Sequence, residues 1–321
     1  MPYAMQITGP GGPEVFERIH VPRPVPGPGQ VLVRVAAVGV NFIETYQRSG
    51  VYAVDYPFVP GVEAAGTIEE IGAGVAGFAV GDRVATTEGA GTYGDYMVLD
   101  AEKALPVPDG VSNDAAAALP AQGITAHYLI SSSYRVQPGD TVLTYAGAGG
   151  VGLLLIQLLK LRGATVITTT STPEKAVVAR EAGADHVLDY ADVPERVREL
   201  TGGRGADVVY DGIGKDTFEG SLDALRVRGT LVLFGGASGQ VPPFDLQQLN
   251  AHGSLTVTRP KIDDFLLDAG ERRWRSEEIF GLMADGKLRV NIGARYPLER
   301  AADAHTAMEA RATTGKVILV P

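Results

Sequence analysis

Cysteine is absent from the 321-residue chain. Disulfides, iron–sulfur ligation, thiolate catalysis and cysteine-held zinc are therefore excluded, and the composition is one that a reducing cytosol permits. Histidine is scarce, with five residues. His20 sits in a proline-rich connector, while His127, His186, His252 and His305 are scattered, so each is expected to be structural. Positive charge is in deficit: 28 Lys and Arg stand against 38 Asp and Glu, a formal net charge of −10. No basic block stands out, which argues against nucleic acid as a partner, because binding a phosphate backbone needs a positive footprint. The one basic cluster, Glu271-Arg272-Arg273-Trp274-Arg275, reads as a solvated helix face. Long apolar runs are missing too. The longest, residues 151–161, contains Gln157 and Lys160 and falls short of the ~20 residues of a membrane span. The N-terminus shows no basic segment leading into a secretory apolar stretch. The expectation is a soluble, cytoplasmic protein with no membrane partner.

Glycine, by contrast, is abundant, at 41 residues. That excess suits an α/β enzyme with many tight turns and close backbone approaches. The length allows two cores, since single cores stop growing near ~250–300 residues. Up to about residue 120 the chain reads as short β segments broken by Pro and Gly. Strands are expected at 31–38, 64–71, 83–86 and 93–99, with the stiff PRPVPGPG connector at 22–29 outside any sheet. From about 123 the pattern changes. Strands at 141–145, 165–169, 186–188, 206–210 and 230–234 alternate with helices at 149–161, 172–182, 192–200 and 216–225. Such alternation marks a parallel sheet covered on both faces. A strand at 255–258 closes the run. The tail, with a helix near 276–284, a strand near 295–297, a helix at 301–310 and a strand at 316–320, leaves the βα rhythm and is expected to return to the N-terminal domain.

The sharpest motif is Ala146-Gly147-Ala148-Gly149-Gly150-Val151-Gly152. Gly147, Gly149 and Gly152 have GxGxxG spacing between an apolar strand and an apolar helix. The early glycines permit a tight turn and close approach to a pyrophosphate, and the last lets helix and sheet pack closely. Unsatisfied N–H groups at the helix start then face the phosphates. A dinucleotide is the implied ligand. An NAD site would carry Asp or Glu at the end of the second strand to hold the ribose diol. Here that place reads Thr168-Thr169-Thr170-Ser171-Thr172-Pro173-Glu174-Lys175. Hydroxyls and an ammonium suit a 2′-phosphate, which favours NADPH. Glu174 reads as an ordinary first-turn acid, and Lys175 either as a cofactor contact or as surface charge.

The chain resembles the medium-chain dehydrogenase/reductase superfamily, in its zinc-free quinone oxidoreductase branch, to which zeta-crystallin belongs. The residues that carry the resemblance span nearly the whole sequence. They are Val40-Asn41-Phe42-Ile43-Glu44 with Tyr46, Pro60-Gly61-Val62-Glu63-Ala64-Ala65-Gly66, Gly81-Asp82-Arg83-Val84, Gly123-Ile124-Thr125-Ala126, the glycine motif, Val209-Tyr210-Asp211, Phe234-Gly235, Thr258-Arg259-Pro260 and Arg311-Ala312-Thr313. The resemblance implies a doubly wound Rossmann domain at 123–265, inserted into a discontinuous, partly barrelled, GroES-like catalytic domain made of 1–122 and 266–321. It also implies a homodimer joined through nucleotide-domain edge strands. Where related dehydrogenases hold zinc with cysteine and histidine, this chain has Val38-Gly39-Val40-Asn41 and Gly61-Val62-Glu63, a poor metal centre.

Carried over residue by residue, the resemblance places Asn41 and Tyr46 beside the nicotinamide as catalytic groups. Thr125, Gly149, Gly150, Val151 and Gly152 line the middle of the cofactor, with Ser171, Lys175 and Tyr190 around its adenosine phosphate. Phe234 and Gly235 brace the nicotinamide half, Gly214 binds the cofactor past the fourth strand, and Arg259 and Arg311 are cofactor or cleft residues. Each has a plainer alternative: Asn41 as a helix N-cap, Tyr46 and Tyr190 as packing aromatics, Arg259 as a solvent-facing side chain. The implied chemistry is hydride transfer from NADPH to a small quinone, with Tyr46 or the Asn41 amide as hydrogen-bond donor to the acceptor oxygen. A tyrosine's reference pKa near ~10 makes it a donor at neutral pH. Reduction of α,β-unsaturated aldehydes or ketones needs the same geometry, and an NADPH-binding structural, crystallin-like role is the alternative of another class.

Overall fold

The computed structural model describes residues 1–310 and 312–321. The chain divides into two compact units, one of Met1–Ile124 with Asp268–Pro321 and one of Thr125–Leu267. In chain order the first stretch forms β1 (Tyr3–Ile7), β2 (Phe16–His20), β3 (Gln30–Val40), α1 (Phe42–Arg48), β4 (Glu63–Ile71), β5 (Arg83–Thr86), β6 (Tyr96–Asp100), β7 (Leu105–Pro106), α2 (Asn113–Ala118) and α3 (Pro120–Tyr128). The middle stretch forms β8 (Thr141–Thr144), α4 (Gly150–Leu161), β9 (Thr165–Thr169), α5 (Pro173–Glu181), β10 (His186–Leu188), α6 (Val193–Leu200), β11 (Ala206–Asp211), α7 (Phe218–Ala224), β12 (Leu225–Leu233), α8 (Gln247–Ala251) and β13 (Thr256–Thr258). The tail adds α9 (Ala269–Ala284), β14 (Ile292–Pro297), α10 (Ala301–Glu309) and β15 (Lys316–Val320).

The first unit is organised by β3. Residues 31–39 of it pair antiparallel with β4, while its other edge is shared by β6, against residues 30–34, and β15, against residues 38–40. The seven-stranded sheet runs β14-β15-β3-β4-β5-β7, with β6 beside β3; this path is open, so the barrelled character stops short of closure. The tail does return here: β15 lies against β3, and α10 contributes Ala301, Ala304 and Met308 to the core that β3 fills with Val31, Val33, Val35, Val38 and Val40. The register Val317↔Val40 puts Lys316 beside the step from β3 into α1.

The second unit holds a six-stranded parallel sheet in the order β10-β9-β8-β11-β12-β13. That is the doubly wound order, in which the chain reverses direction between β8 and β11 and ligands bind beyond the carboxyl ends of the strands. Its strands are apolar because both faces are covered: Val142, Leu143, Val166, Ile167, Val208 and Val209 are all fully buried.

Three expectations need correction. The region to residue 120 is not uniformly β, since α2 and α3 begin within it. Ala116, Ala117 and Ala118 are buried as α2 packs on β3 and β4; an alanine run shows no amphipathic period, so the helix is marked only by Ser112, whose Oγ caps Ala115 N–H at 3.2 Å. The strand expected at 230–234 begins five residues earlier, directly after α7. Finally, Arg272 and Arg275 do not lie on a solvated face. Both are buried; Arg272 makes a two-pronged pair with Glu88 at 2.6 and 2.9 Å, and Arg275 donates to Glu271 one turn away. Pairing explains how the helix can bury these charges.

Candidate active site

In the second unit, every strand of the parallel sheet is followed at its carboxyl end by a residue that the sequence marks as a candidate for the site. Past β8, Ala146 takes a positive φ of 55° and the chain turns into α4 with Gly149 as N-cap. Two of its glycines leave no room for a side chain. A Cβ on Gly147 would lie 2.2 Å from Thr168 Oγ1, and one on Gly152 would lie 2.4 Å from Ala146 O. Leu153 N–H is the first to bond back, to Gly149 O at 2.9 Å. The N–H groups of Gly150, Val151 and Gly152 therefore remain without partners among the described residues, at the positive end of a twelve-residue helix. Gly149, Gly150 and Val151 are partly open to solvent. This cradle fits a diphosphate.

Past β9, Thr170 and exposed Ser171 lead to Thr172, whose Oγ1 caps Lys175 N–H at 3.3 Å. The Glu174 carboxyl is lowered by its own N–H and by the Thr172 hydroxyl, as a first-turn acid should be. Past β10, Tyr190 is 41% exposed and stacks on Tyr145, centroids 6.3 Å apart. Past β11, the fully buried carboxylate of Asp211 gathers the loop: it accepts N–H groups of Ile213 (2.8 Å) and Gly214 (3.0 Å) and hydroxyls of Thr217 and Ser221. Gly214 has φ +91°. Past β12, Phe234 N–H bonds Asp211 O at 2.8 Å, and a Cβ on Gly235 would strike Gly212 O at 2.4 Å. Past β13, exposed Arg259 donates to the Pro260 carbonyl, at 3.3 Å. Thr125 lies on α3, and Arg311 lies outside the described residues.

In the first unit, Asn41 and Tyr46 share α1. Asn41 is its N-cap, and Glu44 accepts the Asn41 N–H at 2.7 Å. The Asn41 side chain is equally engaged: Nδ2 donates to Glu63 Oε2 at 3.0 Å, and Oδ1 accepts from Lys316 Nζ at 2.6 Å. Lys316 also pairs with Glu63, and both are fully buried. The other Glu63 oxygen accepts Ala121 N–H at 2.7 Å. Burial raises the Glu44 carboxyl to about 7, against the pull of the Lys316 charge. Tyr46 is half-buried, edge-on to exposed Tyr52 at 5.4 Å and tilted to Phe42 at 6.3 Å.

Comparison with known proteins places these features. Residues 150–266 match the zinc-binding dehydrogenase family model, and residues 27–109 match the alcohol dehydrogenase GroES-like domain. A quinone oxidoreductase of Pseudomonas aeruginosa is 44% identical over 321 residues, covering 99% of both chains. This chain belongs to the quinone oxidoreductase family of medium-chain dehydrogenases/reductases. Among solved structures, mycobacterial Rv1454c complexed with NADPH superposes with a TM-score of 0.97 at 48% identity, covering 99% of this chain and all of that one. The Escherichia coli quinone oxidoreductase complexed with NADPH matches with a TM-score of 0.97 at 39% identity and the same coverage.

Within this quinone oxidoreductase fold, Gly149–Gly152, Ser171, Lys175, Tyr190, Gly214, Phe234, Gly235 and Arg259 all follow carboxyl ends of strands in one sheet, whereas Asn41 and Tyr46 belong to the other unit. Sequence reasoning missed the buried group of Glu44, Glu63 and Lys316 around Asn41. Glu63 was visible as part of the family resemblance and as a poor metal ligand, and Lys316 as the start of a strand, but not as partners, because an ion pair between residues 253 positions apart leaves no local pattern.

Proposed function

We propose that this protein is an NADPH-dependent quinone reductase that works without a metal ion, with the Thr125–Leu267 unit as its dinucleotide domain and the other unit as its catalytic domain. The observation that carries the reading is the set of three unpartnered N–H groups at the start of α4, on a turn with no room for a Cβ at Gly147 or Gly152. NADPH, when bound, supplies a hydride to the electron-poor ring of the acceptor. Gly149, Gly150, Val151 and Gly152 hold the diphosphate, and Thr125 lines the middle of the cofactor. Ser171, Lys175 and Tyr190 hold the adenosine phosphate, Lys175 by charge and Tyr190 by its exposed ring. Gly214, Phe234, Gly235, Arg259 and Arg311 brace the nicotinamide half, Asp211 keeping the first three loops in register. Tyr46 donates a hydrogen bond to the acceptor oxygen as negative charge develops there, and Asn41 orients that end of the site. The aromatic surface of Phe42, Tyr46 and Tyr52 suits a flat conjugated acceptor.

Zinc does not fit the residues present. The chain has no cysteine, and both buried carboxylates beside Asn41 are already engaged, Glu63 by Lys316, the Asn41 amide and Ala121 N–H, and Glu44 by the Asn41 N–H. Among the described residues no three His, Cys, Asp or Glu side chains are grouped to hold a metal ion. The reading includes a cytoplasmic homodimer joined through β13, which is paired on one side only; no described helix is long and apolar enough to cross a membrane.

The test is a fluorescence titration with NADPH and NADH, followed by turnover of 9,10-phenanthrenequinone with and without a chelator. Saturable binding that prefers NADPH, with a rate indifferent to chelation, is expected. A preference for NADH would refute the assignment of residues 168–175, and a chelator-sensitive rate would refute the metal-free reaction.

A further inference from the structure

A fully buried ion pair is a poor device for stability alone, since an apolar pair of similar volume is often neutral or better. Lys316 and Glu63 form such a pair, with no exposure of either side chain, and the atoms they share point to another purpose. Four elements meet there: β15 supplies Lys316, β4 supplies Glu63, α3 supplies Ala121 N–H, and the step from β3 to α1 supplies Asn41. An ammonium can only donate and a carboxylate can only accept. With Lys316 Nζ on Asn41 Oδ1 and Glu63 Oε2 on Asn41 Nδ2, the amide has one allowed orientation. A half-turn about its last torsion would set NH₂ against ammonium and carbonyl against carboxylate. The space is closed as well: a Cβ on Gly39 would sit 2.3 Å from Glu63 Oε2 and 2.4 Å from Ala117 O. Glu44, on α1 itself, clamps the Asn41 N–H from the other side.

We propose that Lys316, through its ion pair with Glu63, is a positioning residue for hydride transfer, holding the Asn41 amide and the start of α1 in the orientation that serves the reacting end of the site. It rests on the placement of Asn41 at the nicotinamide end given above. Lys316 touches neither cofactor nor acceptor in this account. It acts through Asn41, and through the helix that carries Tyr46 five residues further on.

Lys316→Met alone would strand the Glu63 charge in the core and is not a usable test. The double variant K316M/E63Q removes both charges at nearly constant volume; it takes away the donor at 316 and leaves at 63 an amide that can turn either end to Asn41, so the Asn41 orientation is no longer fixed. It is expected to unfold cooperatively and to bind NADPH within about threefold of the parent, while kcat falls roughly 30-fold, as misplaced reacting groups cause, and the primary isotope effect with 4-deuterated NADPH rises. Adding Asn41→Ser, which keeps a capping residue, should deepen that loss by less than about twofold, because both changes remove one shared interaction. The neutral pair K316Q/E63Q, with a donor at 316 and an acceptor at 63, should regain most of the rate.

Each contrary result has its own meaning. A folded, NADPH-binding K316M/E63Q with kcat within about twofold of the parent overturns the proposal, and Asn41→Ser costing rate in the same experiment leaves the Asn41 assignment standing. Losses that multiply when Asn41→Ser is added also overturn it, as does a K316Q/E63Q no faster than K316M/E63Q. A silent Asn41→Ser overturns the Asn41 assignment and this proposal together.

Discussion

Acidification is expected to draw about 2–3 kcal/mol out of the first unit through one imidazole between pH 6.5 and 4.5. His305, on α10, is fully buried. Its Nδ1 lies 3.0 Å from an Arg48 guanidinium nitrogen and its Nε2 lies 3.0 Å from the Tyr93 hydroxyl. Arg48 can only donate, so Nδ1 is the acceptor and the proton sits on Nε2. Arg48 is itself committed, to Glu309 at 2.7 Å and to the Gly11 carbonyl at 3.1 Å, and the Phe16 ring packs edge-on to the imidazole at 4.9 Å. Burial first, and the Arg48 charge second, push the imidazole down to about 3 from 6.5. A depressed folded-state pKa means stability that is whole above pH 6.5 and lost as pH falls toward 3, at about 1.4 kcal/mol per pH unit. Glu44 works in the opposite sense: its carboxyl is raised to about 7 from 4.5, so its contribution is whole below pH 4.5 and lost as pH rises through 7. The two slopes oppose each other in the parent protein, and a variant is needed to separate them. His305→Gln offers a carbonyl to Arg48 and an NH₂ to Tyr93 without a titrating group. Urea unfolding at pH 4.5, 5.5, 6.5 and 7.5 should show the stability gap between parent and variant shifting by about 2–3 kcal/mol toward the variant at the acid end. A gap constant within about 0.5 kcal/mol across that range, or a His305 ring proton that titrates near pH 6.5 by NMR, would refute the argument.

Other consequences are as direct. Gly152→Ala would place a methyl 2.4 Å from the Ala146 carbonyl; the loop must move, and NADPH affinity by fluorescence titration should fall at least about tenfold, or 1.4 kcal/mol. Lys175→Ala should weaken NADPH by about tenfold and leave NADH nearly unchanged, because only the former carries the 2′-phosphate. Gly39→Ala has no room against Glu63 and the Ala117 carbonyl, and should lower stability by about 1–3 kcal/mol in chemical denaturation.

The second unit was largely legible before folding was considered. Apolar runs, the glycine turn and caps such as Thr172 are local signals, and β9, β10 and α4 fall within a residue of where those signals put them. The positions proposed for its site were legible for the same reason: in a doubly wound sheet ligands bind past strand ends, and strand ends can be counted along the chain. The first unit was less open. Its α2 is an alanine helix without an apolar stripe, and α9 begins seven residues before the apolar segment that announces it.

By itself the sequence determined the parallel sheet, the glycine turn that opens α4 and the lack of any thiol ligand, since composition, periodicity and spacing are properties of neighbours along the chain. Tertiary structure alone decided which charges go inside. Arg272 meets Glu88 across 184 positions and Lys316 meets Glu63 across 253, and each charge survives burial only because its partner arrives with it. The same pairing turns Asn41 from a helix cap with a free amide into one whose amide is held from both sides.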